Sequence, residues 1–195
     1  MRLKKIAVFG LAAALLTGCA GAEQAKSQTE ERQEEETAKE EEWGVLENFT
    51  ATDLEGNEVT QEALADYDLT LVNVWATFCS PCLREMPDLG EIASEYEEKG
   101  VNVIGIVSDT LTSEGTIDEE QADLARDLVK ETKAEYTHLL PSQDLLGILG
   151  QIYAVPTTFF VDSEGHQVGD TYMQAMTKEE MTELIEKYLA EVQDK

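Results

Sequence analysis

Trp75-Ala76-Thr77-Phe78-Cys79-Ser80-Pro81-Cys82 sets two cysteines three positions apart at the end of an apolar run, Leu69 to Val74. The run reads as a buried strand, and the segment behind the cysteines, Leu83 to Lys99, reads as a helix. Two thiols at that spacing on a first helical turn come close enough to close a disulfide. The first also sits where unpaired backbone N–H groups and the helix dipole favour negative charge, so its thiolate is stabilised. A strand, a Cys-x-x-Cys and a helix in that order point to disulfide exchange. The competing reading is half of a structural zinc site. It lacks a second cysteine pair, and His138 and His166 are far off in sequence.

Outward from this unit, the pattern alternates strands and helices. Val45 to Thr50 and Glu58 to Thr60 read as short strands around an Asp53 to Asn57 turn. Pro81 falls in the first turn of a helix running to Lys99, where its missing N–H is harmless; Pro87 predicts a kink and Gly100 a stop. Val101 to Val107 is a second apolar strand, followed by a polar loop, Ser108 to Ile117. A helix over Glu119 to Thr132 presents Leu124, Leu128 and Val129 as its apolar face. Tyr136 to Leu140 reads as a strand and Asp144 to Gly150 as a short helical piece. Thr157 to Val161 and His166 to Gly169 form a hairpin across Asp162 to Gly165. The closing helix, Thr177 to Val192, opens with a capping box of Thr177 and Glu180, and Met181, Leu184, Ile185, Tyr188 and Leu189 face the sheet. The order predicts an α/β domain with a mixed sheet.

The chain has 195 residues, room for one core plus a tail, and 42% are hydrophobic. A formal charge of −27 excludes nucleic acid as a partner and direct adhesion to anionic lipid, because both need clustered Lys and Arg. Arg2, Lys4 and Lys5 precede an apolar stretch, Ile6 to Leu16, too short to span a bilayer and right for the core of a signal peptide. Leu16-Thr17-Gly18-Cys19 resembles a bacterial lipobox, which makes residues 1–18 a signal peptide and Cys19 the lipidated first residue of the mature chain. The alternative is an ordinary secretory signal with a chance cysteine. Residues 19–42 then form the lipidated cysteine and an acidic tether without an apolar side chain larger than Ala, reaching about 25–30 Å as a coil. The globular domain is expected over residues 43–195. With Cys19 capped, Cys79 and Cys82 are an isolated pair in an oxidising compartment, and a disulfide closing so small a loop adds little stability. The pair is there for chemistry.

The motif Trp-x-x-x-Cys-x-x-Cys at 75–82 and the segment Val155-Pro156-Thr157-Thr158-Phe159-Phe160 carry a family resemblance, together with Pro87 and with Glu85 three positions past Cys82. Over residues 45 to 192 the chain resembles the TlpA/ResA group of membrane-tethered, extracytoplasmic thiol–disulfide oxidoreductases. The resemblance implies a thioredoxin-like α/β fold, a central mixed β-sheet flanked by helices, with an N-terminal β-hairpin and an insertion over 108–140. Asn73 stands where thioredoxin carries a buried aspartate, as is common in the ResA-like branch.

What the resemblance and the local chemistry imply for the site is specific. Cys79 is the exposed nucleophile; a thiol near pKa 8.5 is only about 3% thiolate at neutral pH, and the helix terminus raises that fraction. Cys82, one turn inside, resolves the mixed disulfide. Pro156 is expected in cis against Cys79, leaving the Val155 backbone free to pair with substrate; the plainer reading is a proline at a strand entry. Glu85 accepts the Cys82 proton or opposes thiolate formation, unless it is a solvated surface side chain. Trp75 shields the thiolates and contacts substrate, or simply packs. His138 and His166 read as surface or satisfied residues rather than ligands. No metal and no cofactor beyond the redox-active disulfide is expected.

The implied partners are protein disulfide substrates of the apocytochrome c or methionine sulfoxide reductase type. A membrane electron donor of the CcdA/DsbD type completes them, with the protein a monomer lipid-anchored on the extracytoplasmic face of the cell membrane. The alternatives are an oxidant of the same fold and a Sco-type copper chaperone, whose cysteines are spaced by three residues rather than two. A peroxiredoxin motif fails because Thr77 is one residue too close to Cys79. A purely binding lipoprotein leaves the cysteine pair unexplained.

Overall fold

The computed structural model describes residues 46–194. The signal peptide, the lipidated Cys19, the tether over 19–42 and the expected domain start at Trp43 therefore lie outside the described residues. Among those described, a two-stranded antiparallel hairpin, β1 (Thr50–Thr52) and β2 (Glu58–Thr60), precedes β3 (Leu69–Trp75) and α1 (Ser80–Tyr96). Then come β4 (Val101–Val107), α2 (Glu119–Thr132), β5 (Thr137–Leu139), the one-turn α3 (Leu146–Leu149), β6 (Thr157–Asp162), β7 (Gln167–Tyr172) and α4 (Lys178–Gln193). Single 3-10 turns follow β2 at Gln61–Ala63 and α1 at Glu97–Lys99, and Gly100, at φ 84°, ends the latter. Pro87 lies inside α1, which continues through it.

The sheet order is β5-β4-β3-β6-β7, with β3 parallel to β4, β4 parallel to β5, and β6 antiparallel to both β3 and β7. This is the expected thioredoxin-like mixed sheet. All seven residues of β3 are buried, as a central strand covered on both faces requires. Alternation along it splits the core: Val72 and Val74 join Phe49, Ile104, Phe159 and Ile148 on one face, while Leu69 and Leu71 meet Leu89, Ile92, Met181 and Ile185 of α1 and α4 on the other. The capping box at Thr177 and Glu180 is present, and Met181, Ile185 and Tyr188 are the buried face of α4, with Leu184 and Leu189 packed partly against it.

Three expectations are corrected. The first strand begins at Thr50 rather than spanning 45–50, because Leu46 and Phe49 turn into the core and the Leu46 N–H donates to the Gly165 carbonyl (2.8 Å) instead of entering a ladder. β7 runs on to Tyr172, across an irregular register opposite Thr158 and Phe160. The buried face of α2 is Ala122, Ala125 and Val129; Leu128 is half-buried and Leu124 is exposed. Small alanines let α2 lie close to its neighbours, and that contact rotates the helix away from the face its leucines alone would choose. The outer edge of β5 is closed by the hairpin: the Leu54 N–H donates to His138 O (2.9 Å) and the Leu140 N–H to Thr52 O (2.8 Å).

Candidate active site

The β3–α1 junction holds the cysteines where the sequence puts them. They are joined in a disulfide with Cα atoms 5.3 Å apart. Cys79 is itself the N-cap of α1, and its Sγ accepts the Cys82 backbone N–H at 3.2 Å, while the Leu83 N–H donates to the Cys79 carbonyl. The sulfur thus occupies the place of a capping oxygen and receives an orphan donor of the first turn, which is where a thiolate gains most. Cys79 keeps 5% of its surface and Cys82 none. The order is as expected, but Cys79 is narrowly rather than openly exposed in the disulfide form.

Val155–Pro156 is a cis peptide bond. Pro156 is buried, and half-buried Val155 packs against the apolar cluster that contains Cys79, Cys82 and Trp75. Among the described residues, no backbone–backbone hydrogen bond uses the Val155 amide or carbonyl. The segment therefore lies at the disulfide with its main chain unspent.

Glu85 is not a surface residue. It is 3% exposed, and its carboxyl accepts from Asn73 Nδ2 (2.9 Å, Oε1) and from the Met176 backbone N–H (3.2 Å, Oε2). Asn73 also donates to Thr158 Oγ1 at 3.2 Å. Burial raises the Glu85 pKa to about 7; the donors from Asn73 and Met176 pull it down, and Asp88 adds a smaller upward push. A carboxyl one helical turn past Cys82 is therefore poised to gain or lose its proton near neutrality.

Trp75 is wholly enclosed, so the expectation that it contacts substrate is corrected: its ring packs with Cys79, Cys82, Met86 and Val107, and its indole N–H donates to His138 Nδ1 at 3.1 Å. The exposed aromatic beside the disulfide is Phe78, 75% exposed; Tyr153, two positions before Val155, is 85% exposed. His138 is buried and satisfied. His166 is half-exposed at the β6–β7 turn, where desolvation is the largest single influence and lowers its pKa, but Asp162, Glu47 and Glu164 together outweigh it and raise the value. Sequence reasoning missed a second clasp on the loop before Cys79. The Asp109 carboxylate accepts the Thr77 N–H (3.0 Å to Oδ2) and the Thr77 hydroxyl (2.6 Å), and Gln121 of α2 donates to both Asp109 and Thr77. The three residues lie 32 and 44 positions apart, which no local pattern reports.

The comparisons with known proteins agree with this geometry. The AhpC/TSA family model matches residues 45–167. The thiol-disulfide oxidoreductase ResA of Bacillus thuringiensis (strain Al Hakam) is 31% identical over 145 residues, covering 72% of this chain and 74% of that protein. A thioredoxin-family thiol:disulfide interchange protein from Chlorobium tepidum superposes with a TM-score of 0.63 at 20% identity, covering 78% of this chain and 99% of that one. The exposed lipoprotein thioredoxin of Streptococcus pneumoniae strain TIGR4 superposes with a TM-score of 0.57 at 27% identity, over 72% and 98%. A disulfide at a helix N-terminus, a cis-proline segment against it and a sheet of this order make the chain a thiol–disulfide oxidoreductase acting on protein disulfides, and it belongs to the thioredoxin-fold AhpC/TSA family.

Proposed function

We propose that the enzyme works as a reductant of protein disulfides. The observation that carries the direction is the buried Glu85 carboxyl one turn past Cys82: with no Lys or Arg other than Arg84 close to the motif in sequence, it opposes thiolate charge on the pair. A strong oxidant needs its reduced form stabilised by a nucleophile pKa near about 3.5, and like charge works against that. In the forward cycle the Cys79 thiolate attacks one sulfur of a client disulfide, and the other client sulfur leaves as a thiolate that takes a proton. Cys82, giving up its proton, attacks Cys79 Sγ in the mixed disulfide. The second client sulfur leaves as a thiol, and the Cys79–Cys82 bond carries away the balance: two electrons have passed to the client. Val155 offers its free backbone to an extended client segment beside the pair.

No cofactor beyond the disulfide enters this cycle. A membrane dithiol donor of the CcdA/DsbD type restores the pair, and clients are of the apocytochrome c or methionine sulfoxide reductase type. Residues 1–18 are removed as a signal peptide, lipid on Cys19 anchors the protein at the extracytoplasmic face of the membrane, and residues 19–42 tether a domain over 43–195. The lipobox-like Leu16-Thr17-Gly18-Cys19 supports the anchor, as does the likeness to an exposed lipoprotein of Streptococcus pneumoniae. Equilibration with dithiothreitol or glutathione buffers tests the direction: a potential in the thioredoxin range, about −270 mV, supports it, and one around −120 mV makes the enzyme an oxidant. Retention of a Cys19→Ala variant on membranes would remove the anchor.

A further inference from the structure

His138 sits on β5, 63 positions from Trp75, and the core is shaped to receive it. Its Nδ1 takes the Trp75 indole N–H at 3.1 Å, so Nδ1 is the acceptor and the proton resides on Nε2, which faces the Ala134 carbonyl at 2.9 Å. Both ring nitrogens are thereby used in a ring 1% exposed. The Tyr136 ring stacks on it with centroids 4.2 Å apart, and Trp75 meets it edge-on at 5.6 Å. Directly beside it, paired with it in register, β4 carries Gly105, where any Cβ would fall 2.3 Å from His138 Nδ1. A glycine inside a buried strand weakens the strand, and here the space it leaves is the space the imidazole fills. Four features of separate origin converge on one hydrogen bond.

We propose that His138 is a positioning residue of the redox centre: it fixes the Trp75 indole against the Cys79–Cys82 pair and so sets the pair's equilibrium between dithiol and disulfide. The proposal rests on the pair being redox-active and deepens that reading. Trp75 shares one apolar cluster with both cysteines, so an anchored ring keeps water from the inner side of the pair. A thiolate formed on reduction finds no solvation there, whereas the uncharged disulfide loses nothing. Anchoring the ring therefore favours the disulfide and makes the dithiol the better reductant. Releasing it admits water and shifts the equilibrium towards dithiol.

The test uses the full-length protein in a Trp43→Phe background, which leaves Trp75 as the one indole of the two in the chain. His138→Gln keeps an acceptor for the indole and a donor for the Ala134 carbonyl. His138→Leu keeps bulk and removes both. Gly105→Ala pushes on the acceptor from β4 without touching a cysteine. The readouts are the equilibrium constant against glutathione and the ratio of Trp75 emission in the oxidised and reduced states, with circular dichroism to verify folding. We expect His138→Leu and Gly105→Ala to shift the constant towards dithiol by threefold or more and to change the emission ratio, while His138→Gln stays within twofold of the parent on both. Equal behaviour of the Leu and Gln variants, or a constant within twofold of the parent for Leu and Ala alike, overturns the proposal. Should His138→Leu not fold, the comparison of Gly105→Ala with His138→Gln decides on the same terms. A parent protein that does not exchange with glutathione at all would instead remove the redox reading itself.

Discussion

Glu85 carries a carboxyl into the buried face of α1, where it meets Asn73 of β3 and the Met176 backbone and is almost wholly out of solvent. Its pKa is raised to about 7 mainly by burial, so the group changes charge near neutral pH. Replacing it with Gln removes the charge and keeps an acceptor for only one of Asn73 and Met176, because the two donate to different carboxyl oxygens. We expect Glu85→Gln to lower the thiol pKa values and to speed alkylation of Cys79 near pH 7; unchanged pH profiles would leave Glu85 without electrostatic influence on the pair. Brief alkylation of the reduced protein should modify Cys79 before Cys82, since one keeps a sliver of surface at the helix start and the other none. Mass mapping reads this directly, and faster labelling of Cys82 would exchange their roles. The cysteine motif and the capping residues were readable from neighbouring positions, because each is a local device, whereas the cis-proline was expected only from the family resemblance. The enclosure of Trp75 and the burial of Glu85 were not, since both depend on partners from other strands: His138 for one, Asn73, Thr158 and Met176 for the other.

Among the elements, α2 and the loop before it hold the active-site loop rather than merely covering the sheet. Asp109 and Gln121 grip Thr77 two residues ahead of the nucleophile, and hydrogen bonds to a charged group are worth about 1.5–3 kcal/mol each. Asp109→Ala should cost about 2 kcal/mol of stability and raise hydrogen exchange at the Thr77 amide by tenfold or more. Retained protection there would show that the clasp does not hold the loop. At the far end, Thr177→Ala breaks the capping box of α4 and should cost about 1 kcal/mol in denaturant unfolding. The limits of β3, β4, α2 and α4 were legible because apolar runs, caps and breakers mark them. The start of β1, the length of β7 and the face of α2 were not, because each is decided by what the chain docks against: Gly165 for Leu46, the irregular β6 register for β7 and close helix contact for Ala122 and Ala125.

In the whole molecule, two buried titratable groups pull stability in opposite directions with pH. Glu85 has a folded pKa above its ordinary value of 4.5, so between pH 4.5 and about 7 the folded state holds a proton that the unfolded chain has lost, and stability from this group declines as pH rises through that window. His138 has a folded pKa lowered by burial from 6.5 to about 4, so the unfolded chain binds the extra proton and stability declines as pH falls from 6.5 towards 4. Glu85→Gln should therefore flatten the loss between pH 4.5 and 7 and move the optimum of stability to higher pH; the loss it removes by pH 8 is at most about 3 kcal/mol. Thermal unfolding across pH 4 to 9 measures it, and an unmoved optimum would refute the assignment.

The sheet also has an uneven perimeter. The hairpin covers the margin at β5, which leaves β7 as the long outer margin, and there the ladder is interrupted at Gly169, φ 72°, with Asp170 exposed beside it. A strand from a second molecule would find two or three residues in step and then a kink and a carboxylate, too little to nucleate a shared ladder. Sedimentation at rising concentration should therefore show one species whose mass does not grow, and a growing mass would mean that this margin does pair. For a protein whose partners must be met one disulfide at a time, a margin broken in this way offers a second copy little to compete with a client.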